Sequence, residues 1–520
     1  MRGHPKRRRA PPRGPGSRRN EMLSGVINTN VSALYALNSL ENTANTTNTL
    51  EQQLSSGLAI NSPADNPAGY ISAQGFTAQI SGVTQAISNA NQAVSLVQTA
   101  NGAINQQVNI LQSIQSIANQ AANGTATAAQ LASLQQVVSS LTAQVSTIAN
   151  QTNFNGLSLL DGTFQGVQFQ VGAQAGQTIG FSIGSTAANQ IGAYQSSAAG
   201  SGVYVANGVG TGGVADTTGS SYAITASGAG AFTAGSFGVS GSNGSALVTV
   251  TANQSAQSVA QSINAVTNKT NVTASANTSV AFTVTAGSIS FKLGNGTGTP
   301  GTQTNVANVS ATVTSVTQSG LANLVSSINQ QAGTTGVTAS VDASNHLVLT
   351  QSQGDNISIT GYSGTGTLAA GGTSTITLSG AAQEATIQGL VTVQSNQSFA
   401  FGSTASDIGL GTSSALKALS SINVSTQAGA GAAINILSYA LQQLENQGGQ
   451  LGAVQQRLQA TVANLQVTNT NLTAARGVVQ DANIPQVTTQ LTQAEILQQA
   501  GVSALSRSSQ LQQSLLKLLQ

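Results

Sequence analysis

Two histidines, thirteen carboxylate side chains and no cysteine are what this 520-residue chain offers for acid–base and metal chemistry. The carboxylates are scattered singly, and no two stand at a spacing that suggests a general acid with its base. No His-Glu-x-x-His motif, cysteine ligand pair or P-loop occurs. Gly208-Val-Gly-Thr-Gly-Gly213 matches the dinucleotide fingerprint literally, yet the following Val214-Ala-Asp-Thr-Thr-Gly219 opens no helix to receive a pyrophosphate. His346 sits in a repeated segment whose other copy has Ala281 at the matching position, so the repeat does not require an imidazole there. The Asn-x-Ser/Thr triplets follow from composition and read as turns rather than glycan sites. No catalytic residue, no cofactor and no metal site is expected.

Charge excludes more. Only 5% of residues are charged, far below the usual quarter. Arg2, Lys6, Arg7, Arg8, Arg9, Arg13, Arg18 and Arg19 are eight of the fifteen basic residues; the chain beyond Met22 has seven basic residues against twelve acidic ones and a net charge near −5. No Lys or Arg occurs between Asn20 and Asn268. A nucleic-acid partner needs a basic surface to neutralise phosphates, so none is expected. Without cysteine there is no disulfide framework. No 18-residue apolar run predicts a membrane span, and the basic start lacks the apolar segment of a cleaved secretory signal. Residues 1–21 form a Pro/Arg-rich block expected to be disordered; its composition, unlike the rest of the chain, points to Met22 as the true start, with a basic arm as the other reading.

With little chemistry to position, the elements themselves carry the message. Residues 28–54 read as a helix with Leu34, Leu37, Leu40, Ala44, Leu50 and Leu54 on one stripe. A turn-rich connection over 61–69 leads to a long helix ending near Gln120. Its apolar positions step by three and four through Ile80, Val83, Ile87, Ala90, Val94, Val97, Ile104, Val108 and Leu111, the seam of a helix that packs lengthwise. Asn101 falls on that seam, either fixing register as a buried amide or lying solvated. A second helix carries Leu131 to Ile148, and residues 167–183 read as a β-hairpin. At the far end, residues 427–472 form a helix with Leu437, Leu441, Leu444, Leu451, Leu458, Val462, Leu465 and Leu472 at the same spacing, weakened at Gly448-Gly449. A last helix follows Pro485 through Leu491, Leu497, Leu505 and Leu511.

Between the helical ends, residues 185–414 alternate with period two and abundant glycine. They contain a duplication: 243–285 aligns without gaps onto 308–350, including Ser262-Ile-Asn264 with Ser327-Ile-Asn329. Each copy reads as a strand, a short helix and two or three strands, and such copies are expected to stack as modules. The fold class is therefore α+β, a long coiled-coil-like bundle formed by both ends with a β-rich insertion. The expected divisions are 1–21 as the basic extension, 22–66 with 478–520 as a terminal helical core, 67–184 with 415–477 as a long-helix domain with the hairpin, and 185–414 as a variable outer region with repeats at 243–291 and 308–360.

Val26-Ile-Asn-Thr-Asn30, Leu54-Ser-Ser-Gly-Leu-Ala-Ile-Asn-Ser-Pro-Ala-Asp-Asn-Pro-Ala-Gly69, Asn89-Ala-Asn-Gln-Ala-Val-Ser-Leu-Val-Gln-Thr-Ala100 and Thr152-Asn-Phe-Asn-Gly156 strongly resemble the N-terminal region of bacterial flagellins. Leu491-Thr-Gln-Ala-Glu-Ile-Leu-Gln-Gln-Ala-Gly-Val-Ser-Ala-Leu505 is similar to their C-terminal signature, and the 65-residue repeats resemble insertion modules of their variable part. The resemblance implies an extracellular subunit that polymerises with itself into the flagellar filament for swimming. It also implies dealings with an export apparatus, an export chaperone, the filament cap and hook-associated proteins. A hook–filament junction protein shares the terminal helices but not both signatures; a surface adhesin is the reading from another class. The apolar terminal helices are expected to gain order when neighbouring subunits bury them. Flagellins recognised by the innate-immune flagellin receptor carry an Arg in a Leu-Gln-Arg-Val segment and a Glu on the next helix. Ser113 and Val137 stand at the matching positions here, which implies weak recognition.

Overall fold

The 26-residue helix α1 (Val31–Ser56) begins where Asn30 accepts the Ala33 N–H on its side chain at 2.9 Å, and ends where Gly57 adopts a left-handed φ of 72° and returns its N–H to Gln53. The expected start at 28 is thus moved to the first residue behind a capping side chain. The computed structural model describes residues 30–123, 126–199, 203–206, 214–215, 223–224, 235–251, 254–296, 303–342, 344–370, 376–379, 383–402 and 410–519. The Pro/Arg-rich start and the glycine motif at 208–213 lie outside them. The chain divides into two compact units, 1–89 with 170–177 and 461–520, and 90–169 with 178–460.

In the first unit Gly57 leads into a short antiparallel bridge. Leu58 pairs with Asp481, Ala59 N–H donates to Gln480 O at 2.7 Å, and Ala482 N–H donates to Gly57 O at 2.9 Å. Asp65 closes the following turn by accepting the Asn61 and Ser62 N–H groups at 2.9 and 2.8 Å, and those bonds hold its carboxyl below the usual range. Asn66 accepts the Gly69 N–H and starts α2 (Pro67–Ala122), with Pro67 at a position where a missing N–H is harmless. The terminal helix, named α9 by its place in the order below, spans Ile484–Leu519; Pro485 lies inside its first turn instead of before it, for the same reason. It runs antiparallel to α1: Asn30 donates to Ser508 Oγ at 3.0 Å, Gly501 faces Leu40, and Leu50 is buried with Val487 and Ala494. The hairpin tip 170–177 rests on α2 at Gly82, where a Cβ would come within 2.9 Å of Ala173 Cβ, so that approach requires glycine.

In the second unit α3 (Ala128–Gln151) opens with a capping box, Thr127 and Gln130 each bonding the other's backbone N–H. The hairpin strands Val167–Gln170 and Thr178–Phe181 follow. The insertion contains α4 (Ala256–Asn264), α5 (Thr267–Thr270), α6 (Gln318–Gln330) and α7 (Ala332–Thr335), and α8 (Gln427–Gln480) precedes α9. Gly448 and Gly449 do not interrupt α8, which continues through both despite the intrinsic cost of glycine in a helix; Gly448 is half-buried beside Asn101 and Ile104, and Gly449 is exposed.

The insertion's strands pair antiparallel. One sheet runs in the order Gln303–Val313, Gly287–Gly296, Asn356–Gly364, Gln383–Ile387, Val203–Ala206. A larger sheet runs Val337–Val341, Leu347–Gln351, Thr273–Val284, Leu390–Ser395, Gly192–Ala199, Ala415–Ala418, with Leu368–Ala370 and Ile376–Leu378 appended. The duplication is real at atomic level. Asn264 brackets Ala274, donating to its C=O at 2.8 Å and accepting its N–H at 2.7 Å; Asn329 does the same to Ala339 at 2.9 and 2.7 Å. The preceding Ile263 and Ile328 are fully buried. The copies do not, however, stack as separate modules. Val280, Phe282 and Val284 from the first copy share one core with Leu321, Leu324, Ile328 and Leu347 from the second, because the 273–284 strand pairs directly with 347–351.

Candidate assembly surface

Along α2 the buried positions Val83, Ala86, Ala90, Ala93, Val97, Ala100, Ile104, Gln107, Leu111, Ile114, Ala118 and Ala121 alternate by three and four, with Leu96 and Ile110 buried beside this run and Ala73 ahead of it. Five of the expected seam residues, Val83, Ala90, Val97, Ile104 and Leu111, are in this set, whereas Ile80, Ile87, Val94 and Val108 flank it half-buried. The second buried row lies three residues after the shared one, at Ala86, Ala93 and Ala100, instead of three before it. Small side chains allow close backbone approach, and apolar size alone could not reveal that row. On α8, Leu437, Leu444, Leu451 and Leu458 are buried while Leu465 and Leu472 are half-buried.

The buried amide on this seam is Gln107. Asn101 sits half-buried beside Gly448. Gln107 is fully buried, and its Nε2 donates to Val145 O of α3 at 3.0 Å and to Thr186 O at 3.4 Å. Its Oε1 has no partner, nor do the buried hydroxyls of Thr142 and Thr186. Sequence reasoning missed Gln107 because it was sought among positions spaced from the larger apolar residues.

The first unit presents the opposite surface. Of the eighteen large apolar side chains exposed among the described residues, thirteen belong to it. Val31, Leu34, Tyr35, Leu37 and Leu54 lie on α1, and Ile484, Ile496, Leu497, Val502 and Leu511 on α9; Tyr35 is 75% exposed and Leu497 54%. Leu40 and Leu505, also expected on the seam, are half-buried. Soluble single chains scatter such residues singly, so this concentration on two antiparallel helices marks an interaction surface. Ser113 is exposed, its hydroxyl turned back onto Asn109 O at 2.9 Å, and Val137 is 47% exposed.

Among the described residues no three potential metal ligands cluster, and no helix is long and apolar enough to cross a membrane. Paired terminal helices with an apolar outer surface and a β-rich insertion between them define a structural subunit of a filament-forming class. Residues 27–165 match the bacterial flagellin N-terminal helical region, 434–519 the bacterial flagellin C-terminal helical region, and 236–288 and 288–353 the flagellin hook IN motif. The chain is 32% identical over 513 residues to the B-type flagellin of Pseudomonas aeruginosa, covering 95% of this chain and 99% of that protein. It is 29% identical over 546 residues to flagellin A of Helicobacter pylori, covering 95% and 99%. Similar solved structures are FliC from Burkholderia pseudomallei, at 22% identity over 70% of this chain and 99% of that one with a TM-score of 0.28, and Xanthomonas campestris FlgL, at 11% over 76% and 96% with 0.30. The chain belongs to the flagellin family. It is a structural subunit of the extracellular flagellar filament, serves motility, and is not an enzyme.

Proposed function

We propose that the chain assembles through its two ends, residues 22–66 with 478–520 forming the inner layer of the filament and 67–184 with 415–477 the layer around it, while 185–414 projects outward. The observation that supports this most is the run of exposed apolar side chains on α1 and α9. Burying a Leu or Ile side chain against a neighbour is worth roughly 1.5–3 kcal/mol, so even a few such residues outweigh the ordering entropy of a helix end. The seam residues Leu37, Leu40, Leu54, Leu497 and Leu505 belong to this contact between subunits, and the buried seam residues of α2 and α8 pack within the subunit. Sparse charge leaves little repulsion to oppose association. Before assembly the chain passes through the flagellar export apparatus with its chaperone, and it is placed under the cap beyond the hook-associated proteins.

The decisive test replaces Leu497 with Asp. Monomers should retain their circular dichroism spectrum, because Leu497 is exposed, but should fail to polymerise at concentrations where the parent chain forms filaments. Normal polymerisation of L497D would remove this surface from the interface.

A further inference from the structure

The second unit contains a polar cleft with a volume of about 190 Å³, formed where α8 passes the start of the 192–199 strand and the 396–397 turn. Its lining includes Thr186, Gln190, Gln397, Asn446, Gln447 and Gln450, and no charged side chain. Among the described residues none of these five carboxamides has a side-chain hydrogen-bond partner, Gln190, Gln397, Asn446 and Gln450 being exposed and Gln447 half-buried, while Thr186, only 2% exposed, has a buried hydroxyl without a partner. One wall is fixed: Gln443 accepts the Gly192 N–H at 3.0 Å and donates to Asn396 O, while Asn396 Oδ1 accepts from Asn271 at 3.0 Å.

Carboxamides and hydroxyls each donate and accept, so such a lining complements a ligand whose groups do the same. An ion would find no counter-charge there, and an apolar molecule would cover amides without pairing them. The volume equals about six waters, enough for a single pyranose-sized ring. We propose that this cleft binds one neutral sugar or cyclic polyol, with Thr186 at its floor and Asn446 and Gln447 on its rim. The site is independent of the assembly surface on α1 and α9.

The test is saturation-transfer NMR and calorimetry on the full monomeric chain with methyl glucoside, methyl galactoside, N-acetylglucosamine and myo-inositol as probes, and glucuronate as the charged control. A small, preorganised, uncharged site predicts Kd values of about 1–10 mM for at least one neutral probe and none for glucuronate. Asn446→Ala and Thr186→Val should each weaken binding about fivefold, the usual effect of one lost hydrogen bond, whereas Thr186→Ser should restore it; the melting curve of N446A should be unchanged because Asn446 is exposed. A parallel arm with bead-displayed oligosaccharides separates a free sugar from the terminal residue of a surface glycan. Binding in either arm that follows these substitutions supports the site. No saturable response to any neutral probe in both arms, or binding unaffected by N446A and T186V, overturns it.

Discussion

Replacing Gln107 separates what a buried amide does for stability from what it does for specificity. Gln107→Ala removes both hydrogen bonds, to Val145 O and Thr186 O, at about 0.5–1.5 kcal/mol each. It also opens a cavity in a fully buried seam, a change that costs about 2–5 kcal/mol for an aliphatic side chain of this size. Against this, it deletes the unpaired Oε1, whose burial costs about 1–3 kcal/mol. The expected net loss is about 2–4 kcal/mol. Gln107→Leu loses the same two bonds and the same orphan but leaves no cavity, so it should fall within about 1 kcal/mol of the parent. What Leu gives up is the polar layer that locks α2, α3 and the 186 turn in one register. Urea unfolding followed by circular dichroism measures the first quantity. Hydrogen exchange at the Ala149 and Thr186 amides measures the second, with faster exchange expected in the Leu variant. If Leu proves as costly as Ala, the amide is a net stabiliser and the register argument fails.

Helix content measured by circular dichroism should rise when monomers are polymerised, because the exposed stripes on α1 and α9 become buried; an unchanged spectrum would detach folding from assembly. In a reporter-cell assay the chain should activate the innate-immune flagellin receptor weakly, and Ser113→Arg with Val137→Glu should raise potency at least tenfold, since both positions are exposed and free to present a charged anchor. Asp342 tests the acid response of the insertion. Burial raises its pKa, but the His346 backbone N–H and ring, with the Ser344 N–H, lower it further, to a net value below 3.8. Its contribution is therefore present above pH 3.8 and lost as the pH falls through the lower folded value. Asp342→Asn should cost under about 1 kcal/mol at pH 7, reduced by solvent screening, and progressively less as the pH falls below 3.8, as read from acid unfolding of the two proteins.

The helical ends were legible because their signals are local and repeated. A seven-residue apolar period survives any uncertainty about partners, whereas the caps at Asn30 and Thr127 were not read from the sequence, and α1 starts at 31 rather than 28. Which of two flanking rows the seam buries was not legible, since Ala86, Ala93 and Ala100 stand out only once a neighbouring backbone comes close. Gln107 was hidden for the same reason. Sheet order was still less accessible: the 273–284 strand pairs with 347–351 about seventy residues away, a match that no local pattern specifies.

The duplication shows how little sequence is needed to change such a match. In the gapless alignment, residues 272–276 correspond to 337–341, 277–281 to 342–346 and 282–285 to 347–350. The first copy runs straight through as one strand, Thr273–Val284, whereas the second breaks into Val337–Val341 and Leu347–Gln351. The break lies within Asp342–His346. There Asp342 accepts the Ser344 and His346 N–H groups and contacts the His346 ring at 2.9 Å, and Asn345 takes a left-handed φ of 63°. These are turn-forming residues, while the first copy has Asn277-Thr-Ser-Val-Ala281, whose Thr278 and Val280 favour extension. His346 therefore has a structural task that Ala281 lacks. Turning back places Leu347 and Leu349 against Phe282 and Val280, so the local turn in one copy is what lets the other copy's strand complete the shared core.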